Sequence, residues 1–189
     1  MLKRRPLLST LLFLGFLLVV AMGWAGYRVW NGAPYPATDP NRVAVRLKQE
    51  AQRVHDELAV PGQPEPANNR VETGTCYYRG LRYLAHFDRG RPDVRSFELG
   101  WRVPGVTREA ARAGQERVRR RLEQAGWKLT SENVSGLGFR FEHPDSEYMI
   151  DVDWYGSSGI LAVQVYAPCG KIPDGFDEYT WPESGWSPA

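Results

Sequence analysis

Apolar and polar residues alternate in three consecutive stretches between Leu137 and Cys169. Leu137, Phe139 and Phe141 are separated by Gly138 and Arg140; Tyr148, Ile150, Val152 and Trp154 by Met149, Asp151 and Asp153; Leu161, Val163 and Val165 by Ala162 and Gln164. A period of two places one set of side chains on one face of an extended chain, so these stretches read as half-buried strands. With Pro144-Asp145 at the tip of the first turn, Phe141 faces Tyr148, Phe139 faces Ile150 and Leu137 faces Val152. With Ser157-Ser158 at the second, Trp154 faces Leu161, Val152 faces Val163 and Ile150 faces Val165. Every pair is apolar, and a slip of one residue would oppose them to Asp151, Asp153 or Gln164, so the pattern specifies an antiparallel meander.

Upstream the period becomes helical. Asp39-Pro40 supplies an N-cap and a first-turn proline, and Val43, Leu47, Ala51, Val54 and Leu58 follow at spacings of three or four residues until Pro61-Gly62. This predicts an amphipathic helix over residues 39–60, whose narrow apolar face packs on the domain or pairs with a second copy. Thr107 caps a second helix, with Ala110 or Ala111, Gly114, Val118 and Leu122 facing inward and Gly126 closing it. Strands are predicted around Cys76, at residues 97–103 and from Trp127. Tyr77 to Phe87 keep no single phase, and Asp88 to Asp93 read as a turn cluster. The order predicts an α+β domain over residues 71–172, an antiparallel sheet of about six strands ending in the meander, with one or two packed helices. Residues 173–189 show no period. That acidic, aromatic tail is expected to be disordered or to lie on the surface, with Phe176, Tyr179, Trp181 and Trp186 either forming a partner segment or covering an open edge.

Composition changes the picture at the N-terminus, where part of the 42% hydrophobic content of the 189 residues is concentrated. Lys3-Arg4-Arg5 precede an apolar run from Leu7 to Val29, about 23 residues or roughly 34 Å as helix, enough to cross a hydrocarbon core of about 30 Å. Residues 1–30 therefore read as a basic cytoplasmic end and a single-pass transmembrane helix, with Trp24, Tyr27 and Trp30 as interfacial anchors and the rest of the chain outside the cell. The alternative is a signal peptide cleaved near Ala21-Met22-Gly23 or Gly23-Trp24-Ala25, which would release a secreted domain. Residues 31–38, rich in proline and glycine, form a linker.

Export gives the two cysteines a meaning. Cys76 and Cys169 are the only pair, and Cys169 shares the inward phase of Val163 and Val165, so one intramolecular disulfide is predicted between the first strand region and the last strand.

Charge is uneven: residues 1–126 carry 21 basic and 12 acidic side chains, or +9, and residues 127–189 carry 3 and 10, or −7. Arg117, Arg120 and Arg121 on the second helix are a candidate patch for an anionic partner such as a wall polymer or lipid headgroups, weighed against a solvated helix face, and export argues against nucleic acid. Glu142, Glu147, Asp151 and Asp153 form a candidate carboxylate cluster for a divalent cation or for acid–base work, weighed against an ordinary solvated strand face. His55, His86 and His143 have no metal-ligand spacing. No nucleophile elbow or phosphate loop is present, so no catalytic residue, metal or cofactor is predicted. Asn133-Val134-Ser135 fits a glycosylation sequon and also a plain loop.

Cys76 early in the domain, the helix end Leu122-Glu123-Gln124-Ala125-Gly126-Trp127 and the strand end Pro168-Cys169-Gly170, behind an apolar N-terminal segment, give residues 71–171 a style that resembles small, largely uncharacterised exported, membrane-anchored proteins of Streptomyces and related actinobacteria. The resemblance implies an extracytoplasmic envelope domain and carries over no functional residue. The reading that follows is a membrane-anchored extracytoplasmic accessory or binding module without catalysis, whose partner is an envelope protein or an anionic wall polymer. The rival is a cell-envelope hydrolase or metal-dependent enzyme built on the carboxylate cluster.

Overall fold

The computed structural model describes residues 5–133 and 137–182. The chain divides into two compact units, one from Met1–Tyr35 and Tyr77–Arg91, the other from Pro36–Cys76 and Pro92–Ala189. Val134, Ser135, Glu183 and Trp186, which belong to the sequon and the tail, lie outside the described residues.

The second unit is α+β. Helix α2 (Pro40–Leu58) begins on Asp39, whose carboxylate accepts from the backbone N–H groups of Asn41 and Arg42, and buries Ala44, Leu47, Ala51, Val54 and Leu58. It packs on helix α4 (Arg108–Gln124) and on the last strand, β6 (Ile160–Lys171). The compact unit thus extends upstream of Val71, because the apolar face of α2 has no other cover. Thr107 caps α4 through the Ala110 N–H, and Ala111, Gly114, Val118 and Leu122 form its inner face. Gly114 is where the helices come close: a Cβ there would stand 3.0 Å from the Leu58 carbonyl oxygen.

Six antiparallel strands form one sheet: β1 (Glu72–Tyr77), β2 (Gly90–Val103), β3 (Lys128–Asn133), β4 (Gly138–Glu142), β5 (Met149–Tyr155) and β6, in the order β1-β2-β6-β5-β4-β3. Strand β6 runs through the centre, pairing Leu99, Trp101 and Val103 of β2 with Val165, Val163 and Leu161. The β5–β6 register is the expected one, with Ile150 on Val165, Val152 on Val163 and Trp154 on Leu161.

The β4–β5 register differs by two residues: Phe139 faces Val152 and Phe141 faces Ile150. A two-residue hairpin loop needs positive φ at its first central position, which the proline ring forbids at Pro144. The chain uses a longer loop, closed by the His143 N–H to the Tyr148 carbonyl at 2.9 Å, with Glu147 at φ 55°. A shift of two keeps side-chain parity, so the buried face is unchanged. Strand β2 also starts earlier than the turn cluster implied, running through Pro92; its pairing with β6 begins only at Val94, so no ladder bond to β6 is lost there.

Phe97, Leu99, Phe141, Ile150, Val152, Leu161, Val163 and Val165 are buried beneath the two helices. Gln115 enters this layer and donates to the Leu137 carbonyl at 2.7 Å, satisfying a buried amide. The tail contributes as well. Phe176 and Trp181 stack edge-on against Phe97, and the Trp181 indole donates to Asn41 at 2.8 Å. Pro36 to Thr38 exchange backbone hydrogen bonds with Lys171, so that end of the linker is fixed to β6. Gly170 permits this passage, since a Cβ there would fall on the Thr38 hydroxyl.

The Sγ atoms of Cys76 and Cys169 are 1.98 Å apart, with Cα atoms 6.0 Å apart, which joins β1 to β6, strands that are not neighbours in the sheet. Cys76 is buried while Cys169 is only half-buried, because a bulge opposite Arg95–Phe97 breaks the inward alternation of β6 before Cys169.

The first unit holds helix α1 (Arg5–Asn31), within which Leu12–Asn31 is long and apolar enough to cross a membrane. With it goes the excursion between β1 and β2, carrying the single-turn helix α3 (Arg82–Ala85). The two are joined through backbone: the Leu81 N–H donates to the Val29 carbonyl at 3.1 Å, and Gly32 and Gly80, both at positive φ, approach so closely that a Cβ on Gly80 would stand 2.4 Å from the Gly32 nitrogen.

Candidate functional site

Both helices cover one face of the sheet, and the alternation that sends Phe139, Ile150, Val152, Val163 and Val165 beneath them sends Arg140, Asp151, Asp153, Gln164 and Tyr166 to the other. Across that open face the register sets Arg140 beside Asp151, Asp151 beside Gln164 and Gln164 beside Gly100; one row away, Met149 stands beside Tyr166 and Tyr166 beside Glu98.

Asp151 is the most enclosed carboxylate here, 9% exposed. Arg140 meets it with two parallel hydrogen bonds, Nε to Oδ1 at 2.6 Å and a terminal nitrogen to Oδ2 at 2.5 Å, a fork geometry that neutralises the charge and fixes both side chains. The same bonds raise the Arg140 pKa. Asp153 lies over Gly138, where a Cβ would collide with its carboxylate, and its pKa is raised by burial and then by the nearby Asp151 charge. Tyr166 donates to the Gln164 side-chain oxygen at 2.5 Å; burial and the charge of Asp151 push its phenol up to about 12. Glu98 is raised by burial and by Glu72. Ser131, Asn133, Gly138 and Phe139 complete an open depression of about 250 Å³ around Arg140, Asp151 and Asp153.

The structure divides the predicted carboxylate cluster. Asp151 and Asp153 share the depression, Glu142 sits opposite Met149 one row away, and Glu147 belongs to the β4–β5 loop. Among the described residues no three His, Cys, Asp or Glu side chains gather as metal ligands. With Asp151 held by Arg140, the arrangement lets Asp153 keep its proton to a higher pH than a free aspartate. What it presents is a polar surface with tyrosines, Tyr155 and Tyr166, among charges of both signs.

The arginine patch is divided too. Arg117 donates to the Glu57 carbonyl at 2.9 Å and to that of Leu58, satisfying the C-terminal carbonyls of α2. Arg121 lies 3.7 Å from Glu57, and Arg120 is exposed. The face of α2 that was a candidate for pairing with a second copy is buried within the chain's own unit.

Arg140, Tyr166 and Glu98 are the residues that sequence reasoning missed. The signal for Arg140 was present: with Pro144 excluded from a two-residue loop, the next register of the same parity sets Arg140 against Asp151 rather than Met149. No protein-family model, curated protein or solved structure matches this chain.

Proposed function

We propose that this chain is a membrane-anchored extracytoplasmic accessory or binding module, non-catalytic, whose open sheet face engages another envelope protein. Helix α1 is the anchor, with Lys3-Arg4-Arg5 on the cytoplasmic side and the sheet unit in the envelope of a Gram-positive cell, as the resemblance to actinobacterial exported proteins implies. A disulfide fits that compartment.

The observation that carries the binding reading is the bidentate Arg140–Asp151 pair. It stands beside Asp153, a carboxyl with a raised pKa, and it locks the groups that a hydrolytic mechanism would need mobile and unequal. A protein partner fits the surface better than an anionic polymer, because Asp151, Asp153 and Glu98 share it and tyrosine is enriched in protein interfaces.

A photo-crosslinking residue placed at Gln164 or Arg102, both exposed, tests this in native membranes, with Arg120 on α4 as the comparison. A discrete protein adduct from the first two positions and none from Arg120 is expected. Adducts from Arg120 alone would overturn the surface assignment, and hydrolysis of envelope material by wild type but not by Asp153→Asn would replace the module with an enzyme.

A further inference from the structure

The excursion between β1 and β2 is out of character for a surface loop of a water-soluble domain. Leu84 is 70% exposed and Phe87 67%, with Leu81 and Tyr83 also exposed, all within seven residues that bury no side chain in α3. Around them stand Arg79, Arg82, Arg89 and Arg91 against the single acid Asp88, a net +3 with His86 neutral. Apolar side chains flanked by arginine and tyrosine are the composition of a segment that lies in a membrane interface.

Backbone geometry says where. The last turn of α1 ends in carbonyls without helical partners. Leu81 N–H takes that of Val29, and the Asn31 side chain donates to the Tyr27 carbonyl, one residue before them, at 3.1 Å. Close approach of Gly32 and Gly80 welds the excursion to this helix end, and Tyr35 adds a hydrogen bond to the Tyr77 carbonyl at 2.7 Å. The arginines stack on aromatic rings, Arg28 on Trp24, Arg79 on Tyr35 and Arg82 on Tyr78, a set of amphipathic side chains.

Resting on the reading of α1 as a membrane span, we infer that this excursion is a second membrane contact. Leu81, Leu84 and Phe87 enter the headgroup–acyl boundary of the outer leaflet, and the arginines engage the phosphates of anionic lipid. Continuity with the end of α1 and complementary charge identify the occupant as a lipid surface. The helix is then held by two points at its outer end, which limits its tilt and rotation.

With both native cysteines bridged, Leu18→Cys and Leu84→Cys each introduce one thiol for a fluorescent label. The full chain, reconstituted in vesicles of phosphatidylcholine and phosphatidylglycerol, is then exposed to aqueous iodide and to lipids carrying nitroxide at shallow or deep positions. The label at position 84 is expected to lose iodide quenching and to be quenched most by the shallow nitroxide, and the label at position 18 by the deep one. In a chain that also carries Leu81→Asp and Phe87→Asp, the position 84 label should regain iodide quenching. A position 84 label open to iodide while position 18 is quenched deep would overturn the second contact and leave the anchor standing. Absence of lipid quenching at position 18 would overturn the anchor, and the inference with it.

Discussion

Two irregular, aromatic segments of this chain meet opposite fates. The tail from Pro173 to Trp181 buries Trp181 and half-buries Phe176 against Phe97 and ties Glu178 to Thr73 and Arg95. The excursion from Tyr77 to Arg91 exposes Leu81, Leu84 and Phe87, and its Tyr78 ring stacks with Arg82 and Arg91 instead of with a core. Neither has a period. The difference lies in what stands beside each: the tail has an apolar position of β2 to cover, and the excursion is fastened by backbone bonds to the end of an apolar helix. An aromatic-rich loop therefore has no character of its own; the surface available to it determines whether its rings stabilise the fold or face outward.

Removing the disulfide is the strongest way to break the contrast, since Cys76 directly precedes the excursion. The bridge spans a separation of 93 residues. In the chain-entropy view a loop of that size is worth about 4 to 5 kcal/mol. Cys76→Ala with Cys169→Ala should lower the unfolding free energy of the full chain in detergent by that amount, as should reduction of the wild type.

Next in size, Trp181→Ala should cost about 3 kcal/mol, as the loss of a buried indole does. Phe87→Ala should change stability by less than about 0.5 kcal/mol. Equal losses in the two variants, measured by chemical denaturation, would erase the distinction between the segments.

Arginines sharpen it further. Arg117→Ala leaves two carbonyls of α2 without their charged donor and should cost about 2 kcal/mol. Arg82→Ala should change stability by less than about 0.5 kcal/mol.

The smallest effect is a pH dependence on the open sheet face. Asp153 binds its proton more tightly in the folded than in the unfolded chain, so this group's contribution falls as pH rises from its ordinary 3.8 through its raised folded value. Asp153→Asn should therefore raise the melting temperature at neutral pH, with the gain vanishing in acid, where the wild-type side chain is already neutral. A gain independent of pH would mean that charge is not its cause.

The alternation of Phe139, Phe141, Ile150, Val152, Val163 and Val165 was enough to define three strands and their buried face, because the two-residue period is a local property of the extended chain. The caps at Asp39 and Thr107 and the inner faces of both long helices were legible for the same reason: each depends on residues within one or two turns. Register over the β4–β5 loop depended on the dihedral limits of Pro144 and was recoverable only by applying them. Strand order was beyond local pattern. Placing β6 between β2 and β5 brings Tyr166 and Glu98 onto the open face near Asp151, and no spacing along the chain encodes that meeting. Tertiary packing likewise turned Arg117 from a charge into a helix cap, drew Trp181 under cover and left Phe87 outside. Those outcomes depend on which surfaces distant segments present to one another, and burial is a property of the assembled surface, not of the residue that enters it.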